Sequence, residues 1–252
     1  MRLDQRLVAL GLARSRAEAR ALIEAGAVSV DGAAATKPAQ AAPEGAAVSV
    51  APVVRWASRG ALKLLHALDV FGLDPTGAAA LDVGASTGGF TDALLARGAA
   101  RVTAVDVGHG QLLPRLAADP RVTSLEGVNA RSLPADLGPF DWIVADLSFV
   151  SLEKGLAPAL ERAAPGATLV ALIKPQFEAG RAAVGKGGLV RDAAVHAAVR
   201  ARVRAWLEGL GWRVVGEAES PIAGGDGARE FLIAARRGGR SPEKTAPASA
   251  PD

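Results

Sequence analysis

The chain has 252 residues, half of them apolar, with no cysteine and a formal net charge of +3; the length suits one large domain plus one small, and the missing thiols exclude disulfides and thiolate metal sites. The longest run without Asp, Glu, Lys or Arg is the 11 residues from Ala163 to Ile173, where a membrane helix needs about 20, and MRLDQRLVALGLARSR carries charge at positions 2, 4 and 6, which excludes a secretory signal and leaves a soluble cytoplasmic protein as the expectation. Residues 1–60 hold 8 basic against 5 acidic side chains and residues 61–252 hold 21 of each, so the excess lies in the first quarter, as in a segment that meets an anionic polymer.

Leu3, Leu7 and Leu10 fall at helical spacing and Gly11 ends the run, which predicts a short amphipathic helix over 3–10. Ser15 stands three residues before Glu18, a capping box that opens a second helix running to about Ala25, with Gly26 as its stop. Arg16 and Arg20 are four apart and share a face of it. VSVDG (28–32) alternates into an Asp-Gly turn, a hairpin signal, and Val48 and Val50 supply a later strand. Residues 33–54, rich in Ala, Pro and Val, read as the end of a small domain plus a linker, so the first unit is expected over 1–54.

A second unit is expected over 55–237. WASRGALKLLHAL (56–68) puts Leu62, Leu65 and Leu68 along a helix that also carries Lys63 and His66; on spacing alone Lys63 faces solvent. LDVGASTGGFTD (81–92) is a short apolar strand opening into a turn. There Gly84, Gly88 and Gly89, with small Ala85, Ser86 and Thr87, let the backbone approach a bound molecule, and the helix that starts at Phe90 aims its first N–H groups into the same space. RVTAVDVG (101–108) ends in Asp106, 22 residues beyond Gly84, where an acidic side chain receives ribose hydroxyls in nucleoside-binding folds. A weaker strand follows over 121–126. FDWIVADLSFVSL (140–152) leads to Asp146 and ATLVALIKPQFE (167–178) to Lys174. Ligands collect at the carboxyl ends of parallel strands, so Gly84, Asp106, Asp146 and Lys174 should share one rim, with the glycine-rich loop GRAAVGKGGLV (180–190) beside it as a lid or substrate contact. Residues 191–210 read as an amphipathic helix with Arg200, Arg202 and Arg204 on a solvated face. WRVVGEAESP and REFLIAARR then give two final strands joined by IAGGDGA, with Glu230 where the last one begins. Residues 238–252 read as a disordered tail.

The turn at 84–89 has Ser86 where the dinucleotide fingerprint G-x-G-x-x-G has its second glycine, which disfavours a pyrophosphate. S-adenosylmethionine, an adenosine ligand with a cationic sulfonium and no phosphate, suits acidic Asp82 and Asp106 better. RLDQRLVALGLARSRAEARALIEAGAVSVDG (2–32) resembles the S4 RNA-binding module, whose basic second helix and adjoining loop contact phosphates, here Arg14, Arg16 and Arg20. SRGALKL, LDVGASTGGFTD, VDVGHGQL, ADLSFVSL, IKPQFEAG, GKGGLVRD and REFL follow in an order that resembles the FtsJ-type (RrmJ-like) methyltransferases over 56–236. The whole chain is similar to the TlyA family of ribosomal RNA 2'-O-methyltransferases, also labelled haemolysin A.

The resemblance implies an α/β fold, a Rossmann-like S-adenosylmethionine-dependent methyltransferase sheet with a small N-terminal α+β S4 domain. It implies cofactor contacts from Asp82, Gly84, Ser86, Gly88, Gly89 and Phe90 with Asp106 on the ribose, a catalytic set of Lys63, Asp146, Lys174 and Glu230, and no metal. The implied partner is ribosomal RNA or a ribosomal subunit, modified on a cytidine ribose; the pore-forming role that the haemolysin label suggests finds no support in a chain without a signal or membrane-length segment. Physically, such a transfer is an in-line displacement in which the enzyme positions the hydroxyl and eases removal of its proton. Burial and a second ammonium lower a lysine's pKa, so Lys174 is the expected base or hydroxyl-orienting group and Lys63 its electrostatic partner, with Asp146 and Glu230 orienting the amines. Two rivals stay open: a base methyltransferase, for which ADLSF lacks the Pro-Pro-aromatic turn, and an RNA-binding protein with an unused fold. One departure concerns the linker, where the family's Arg-x-Trp-Val is replaced by Val54, Arg55, Trp56 and Ala57.

Overall fold

A computed structural model describes residues 1–24, 27–35, 37–50, 56–224 and 227–238. The helix stop expected at Gly26, the linker departure at Val54 and Arg55, and the tail beyond Gly238 lie outside the described residues. The chain divides into two compact units, Met1–Arg55 and Trp56–Asp252.

The first unit holds helices α1 (Leu3–Ala9) and α2 (Arg16–Glu24) and strands β1 (Val28–Val30), β2 (Ala33–Ala34) and β3 (Val48–Val50). Ser15 Oγ accepts the Glu18 N–H at 3.2 Å, which caps the first turn of α2. Asp31 and Gly32 both take left-handed φ, 51° and 79°, the turn whose twist matches a tight hairpin, and β1 pairs antiparallel with both β2 and β3. Leu3, Leu7, Ala19, Leu22, Ile23 and Val28 form the core. Leu10, expected at the end of α1, lies beyond it and is exposed; buried Ala13 fills the core instead.

The second unit is a seven-stranded sheet in the order β6-β5-β4-β7-β8-β10-β9. Its strands are β4 (Ala79–Val83), β5 (Arg101–Asp106), β6 (Val122–Glu126), β7 (Phe140–Ala145), β8 (Ala163–Ile173), β9 (Trp212–Glu219) and β10 (Phe231–Arg237). The first five run parallel. β10 is inserted between β8 and β9 and is antiparallel to both, so the expected parallel sheet ends in an antiparallel pair. The helices are α3 (Gly60–Phe71), α4 (Gly89–Ala96), α5 (Pro114–Ala117), α6 (Leu152–Gly155), α7 (Ala157–Glu161), α8 (Pro175–Glu178) and α9 (Ala193–Gly209). Residues 180–190 carry two single 3-10 turns, Arg181–Ala183 and Lys186–Gly188.

Alternation along the buried strands feeds two cores. Leu81, Val83, Ile143 and Leu169 meet Val199, Val203 and Leu207 of α9 on one face. Ala80, Val144, Val170 and Leu232 meet Ala61, Leu64 and Leu68 of α3 and Phe90, Ala93 and Leu94 of α4 on the other. Each buried leucine contributes about 1.5–3 kcal/mol relative to exposure, and α3 is held to the sheet mainly by Leu64 and Leu68. Its buried face therefore differs from the expected one: Leu62 is exposed, and Lys63 lies on the side turned to the protein. Arg200, Arg202 and Arg204 are also not simply solvated. Arg200 and Arg204 both donate to Glu217 on β9, and Arg202 to Glu178 at the end of α8.

Candidate active site

The turn after β4 is shaped by what crosses it. Gly84 takes φ +85°, and a Cβ there would lie 2.8 Å from the Asp146 carbonyl oxygen at the end of β7, so only glycine lets the two strand ends close up. Ser86 also takes a left-handed φ, 48°. Its N–H donates to Asp106 Oδ2 at 2.7 Å, while the Gly108 N–H donates to Oδ1 at 2.8 Å. This strand-end carboxylate thus ties the turn to β5, and each oxygen retains acceptor capacity for a ligand hydroxyl. Because the Ser86 N–H is held by an acid, the turn does not present it to a phosphate.

Two adjoining cavities open on this turn, and both are lined by Gly84, Ser86, Asp146 and Ser148. The first, about 490 Å³, adds Asp106, Val107, Gln111, Asn129, Arg131 and Phe149. The second, about 450 Å³, adds Ser58, Arg59, Lys63, Gly89, Phe90 and Lys174. The rim predicted from strand ends is thereby assembled, and Lys63 joins it from α3. Gly88 stands apart: at φ +98° it packs under Leu112 and Leu116 and lines neither cavity.

Asp82 is the other cofactor candidate placed elsewhere. It is fully buried on β4 beneath the turn, accepts the Thr91 hydroxyl at 2.7 Å, and leaves Oδ1 without a partner. Burial pushes its carboxyl up to about 7, against the Thr91 hydrogen bond and with help from the nearby Asp146 charge. Enclosed in this way, Asp82 braces the first turn of α4 through Thr91 and lines neither cavity. Alternation along β4 explains the placement, since Asp82 points into the layer filled by α3 and α4.

The four expected catalytic residues form two pairs. Lys63 Nζ donates to Glu230 Oε2 at 2.5 Å, both side chains being at least nine-tenths buried. Lys174 Nζ lies 2.6 Å from Asp146 Oδ1 and donates to Ser148 Oγ at 2.8 Å; the contact with Asp146 is an ion pair without hydrogen-bond alignment. β8 delivers Lys174 and β7 delivers Asp146, which are neighbours in the sheet. Glu230 sits immediately before β10, whose insertion beside β8 carries it to Lys63. Each buried ammonium has its own carboxylate, which is what low-dielectric burial demands. Among the described residues no group of His, Asp and Glu is placed to hold a metal ion, and no helix is long and apolar enough to cross a membrane.

In the first unit Arg16 Nη2 lies 3.2 Å and Arg20 Nε 3.5 Å from Asp4, while Arg14, just before α2, binds Glu18 of that helix at 3.1 Å.

A family model for the FtsJ-like methyltransferases matches residues 56–237 and one for the S4 domain matches residues 1–48. The 16S/23S rRNA (cytidine-2'-O)-methyltransferase TlyA of Mycobacterium tuberculosis is 47% identical over 92% of this chain and 88% of its own length. The chain belongs to the TlyA family. Hemolysin A of Brachyspira hyodysenteriae is 38% identical over 92% of this chain and 98% of its own. A solved structure from Streptococcus thermophilus, described as a candidate hemolysin, shares 40% identity and a TM-score of 0.70 over 98% of this chain and 92% of its own. The α/β methyltransferase fold with an S4 region in front is that of the TlyA family.

Three residues in the walls of this TlyA-family site carry no signal of their own in the sequence. Ser58 and Ser148 are ordinary serines until α3 and β7 are placed. Phe149 is 90% exposed, takes a left-handed φ of 65°, and has its ring centroid 5.1 Å from that of Phe177. This exposed aromatic stands in the wall of the first cavity with Asp146, and a lone Phe in ADLSF reads as core.

Proposed function

We propose that this chain transfers a methyl group from S-adenosylmethionine to the 2'-hydroxyl of a cytidine ribose in ribosomal RNA, free or in a ribosomal subunit. The observation that carries the reading is the pair of buried lysine–carboxylate contacts at the mouth of a cofactor-sized cavity. The walls suit the cofactor: Asp106 keeps acceptor capacity for two ribose hydroxyls, Asp146 adds negative charge for a cationic ligand, and the turn withholds the N–H that a pyrophosphate would use. When bound, S-adenosylmethionine supplies an electrophilic methyl on a positively charged sulfur that leaves as a neutral thioether. Gly84, Ser86, Gly89 and Phe90 form the wall on its side, with Gly88 and Asp82 supporting the turn from behind.

The chain's own residues handle the acceptor. Lys174 donates to Ser148, and an entering 2'-hydroxyl takes that place, so its oxygen is fixed beside Asp146. As the new C–O bond forms and the C–S bond breaks, the hydroxyl proton passes to the Lys174–Asp146 pair. Lys63, held by Glu230, lines the same cavity as Lys174 and acts as its electrostatic partner. The Phe149 ring offers a π-face to the base of the target nucleotide. Arg14, Arg16 and Arg20 hold phosphates of the same RNA.

Labelled S-adenosylmethionine incubated with ribosomal subunits and with free ribosomal RNA, followed by nuclease mapping, is expected to place label on a cytidine 2'-oxygen. Absence of label in every substrate while the cofactor still binds would overturn the reading. Lys174→Ala should abolish turnover and leave cofactor affinity nearly unchanged.

A further inference from the structure

Asp4 is fully buried in the first turn of α1, yet its ion-pair partners lie at the surface. Arg2 grips it with two parallel hydrogen bonds, Nε to Oδ1 at 3.0 Å and Nη2 to Oδ2 at 3.2 Å. Arg16 Nη2 and Arg20 Nε approach Oδ2 at 3.2 and 3.5 Å. The three arginine side chains are 43%, 53% and 52% exposed. Stability asks for one such partner; this carboxylate has three, and the cluster keeps a net charge of +2. The backbone around it is pinned as well. Arg2 bridges to Ala41, and the Leu3 N–H donates to the Gln40 carbonyl at 2.9 Å. Arg16 and Arg20 come from successive turns of α2, so three cations from two elements converge on one anion.

We propose that Asp4 is a positioning residue for RNA capture, gathering Arg2, Arg16 and Arg20 into one preorganised phosphate-reading cluster in which Arg2 is a direct contact. The inference rests on the reading of this unit as the RNA-binding part. Each guanidinium has five N–H donors; Arg2 uses two on Asp4, and Arg16 and Arg20 one each. Arg2 is held by two points and Arg16 and Arg20 by one each, and all three side chains stay about half exposed, which leaves donors for a phosphate. An arginine fixed before binding loses less freedom when the phosphate arrives.

Positioning and simple charge balance predict opposite signs. If Asp4 only offsets positive charge, Asp4→Asn adds one net charge to the face, tightening RNA binding and steepening its salt dependence. If Asp4 positions the arginines, the same variant binds about tenfold more weakly despite the added charge. The test measures affinity of the full chain for a labelled ribosomal RNA transcript across a salt series, together with methyl-transfer kinetics. The expected result is a raised KM for RNA with kcat and cofactor affinity unchanged. Tighter binding overturns the proposal. Arg2→Lys keeps the charge but not the fork, and decides the matter should Asp4→Asn lose its fold. It is expected to weaken binding about fivefold with an unchanged salt slope, and wild-type affinity in this variant would overturn the proposal. A wild-type chain that binds no ribosomal RNA at all would instead overturn the functional reading on which this one stands.

Discussion

Removing one partner of a buried ion pair strands a charge and costs ~3–5 kcal/mol, whereas replacing both partners by apolar groups is often neutral. Lys63 and Glu230, with side chains 10% and 3% exposed, invite that comparison. Glu230→Gln is expected to lower stability in urea by about 3 kcal/mol, and Lys63→Met combined with Glu230→Leu to regain most of it. Neither variant should transfer methyl groups; activity in the double variant would place the pair outside the chemistry. Asp82 gives a second test, in pH. Its carboxyl sits at about 7 in the folded chain and near 3.9 when unfolded, so the folded state holds an extra proton between these values. Its contribution is complete below pH about 4 and is lost as pH rises through about 7. Asp82→Asn should flatten the fall of Tm across that window. A slope equal to that of wild type would assign the effect to another acid, such as Glu178, whose carboxyl burial also raises.

At the level of elements, the turn between β4 and α4 is the most exacting piece. Gly84→Ala would combine a left-handed φ with a Cβ 2.8 Å from the backbone oxygen of Asp146. The strain should cost about 1–3 kcal/mol and shift Asp146, so kcat is expected to fall at least about tenfold with a smaller loss of cofactor affinity by calorimetry. Unchanged kcat would mean that the strand ends tolerate separation. This turn was readable in advance because its demands are local: glycine for φ, a buried apolar run for a parallel strand, an acid at the next strand end. The facing of α3 was not, since Leu62–Leu65 and Leu64–Leu68 are equally apolar stripes and only packing on the sheet selects the second. The direction of β10 was equally hidden, because a buried strand has the same pattern whether its neighbours run with it or against it. The Asp4 cluster was hidden for a related reason: its three arginines meet only when α1 and α2 are packed.

For the molecule as a whole, charge is divided by task. The basic excess lies in the first 60 residues, and the site in the second unit pairs each of its buried lysines with an acid. Raising salt from about 50 to about 200 mM should therefore raise KM for RNA, roughly twentyfold if three phosphates are held, while cofactor affinity changes little. An equal loss of cofactor affinity would show that the two units do not divide the work in this way.

The antiparallel entry of β10 has a consequence for how the protein is made. Lys63 and Glu230 are 167 residues apart, and synthesis runs from the first to the second. A chain still on the ribosome at Ile222 has already completed the S4 unit, the turn at Gly84, Asp146 and Lys174, but its Lys63 lacks the acid that neutralises it. It is the place of β10 between β8 and β9 that gives the ammonium its counter-charge. The edge of the site that holds Lys63 is therefore assembled from residues far apart in the chain, and it is complete only with residues 230–237 in place.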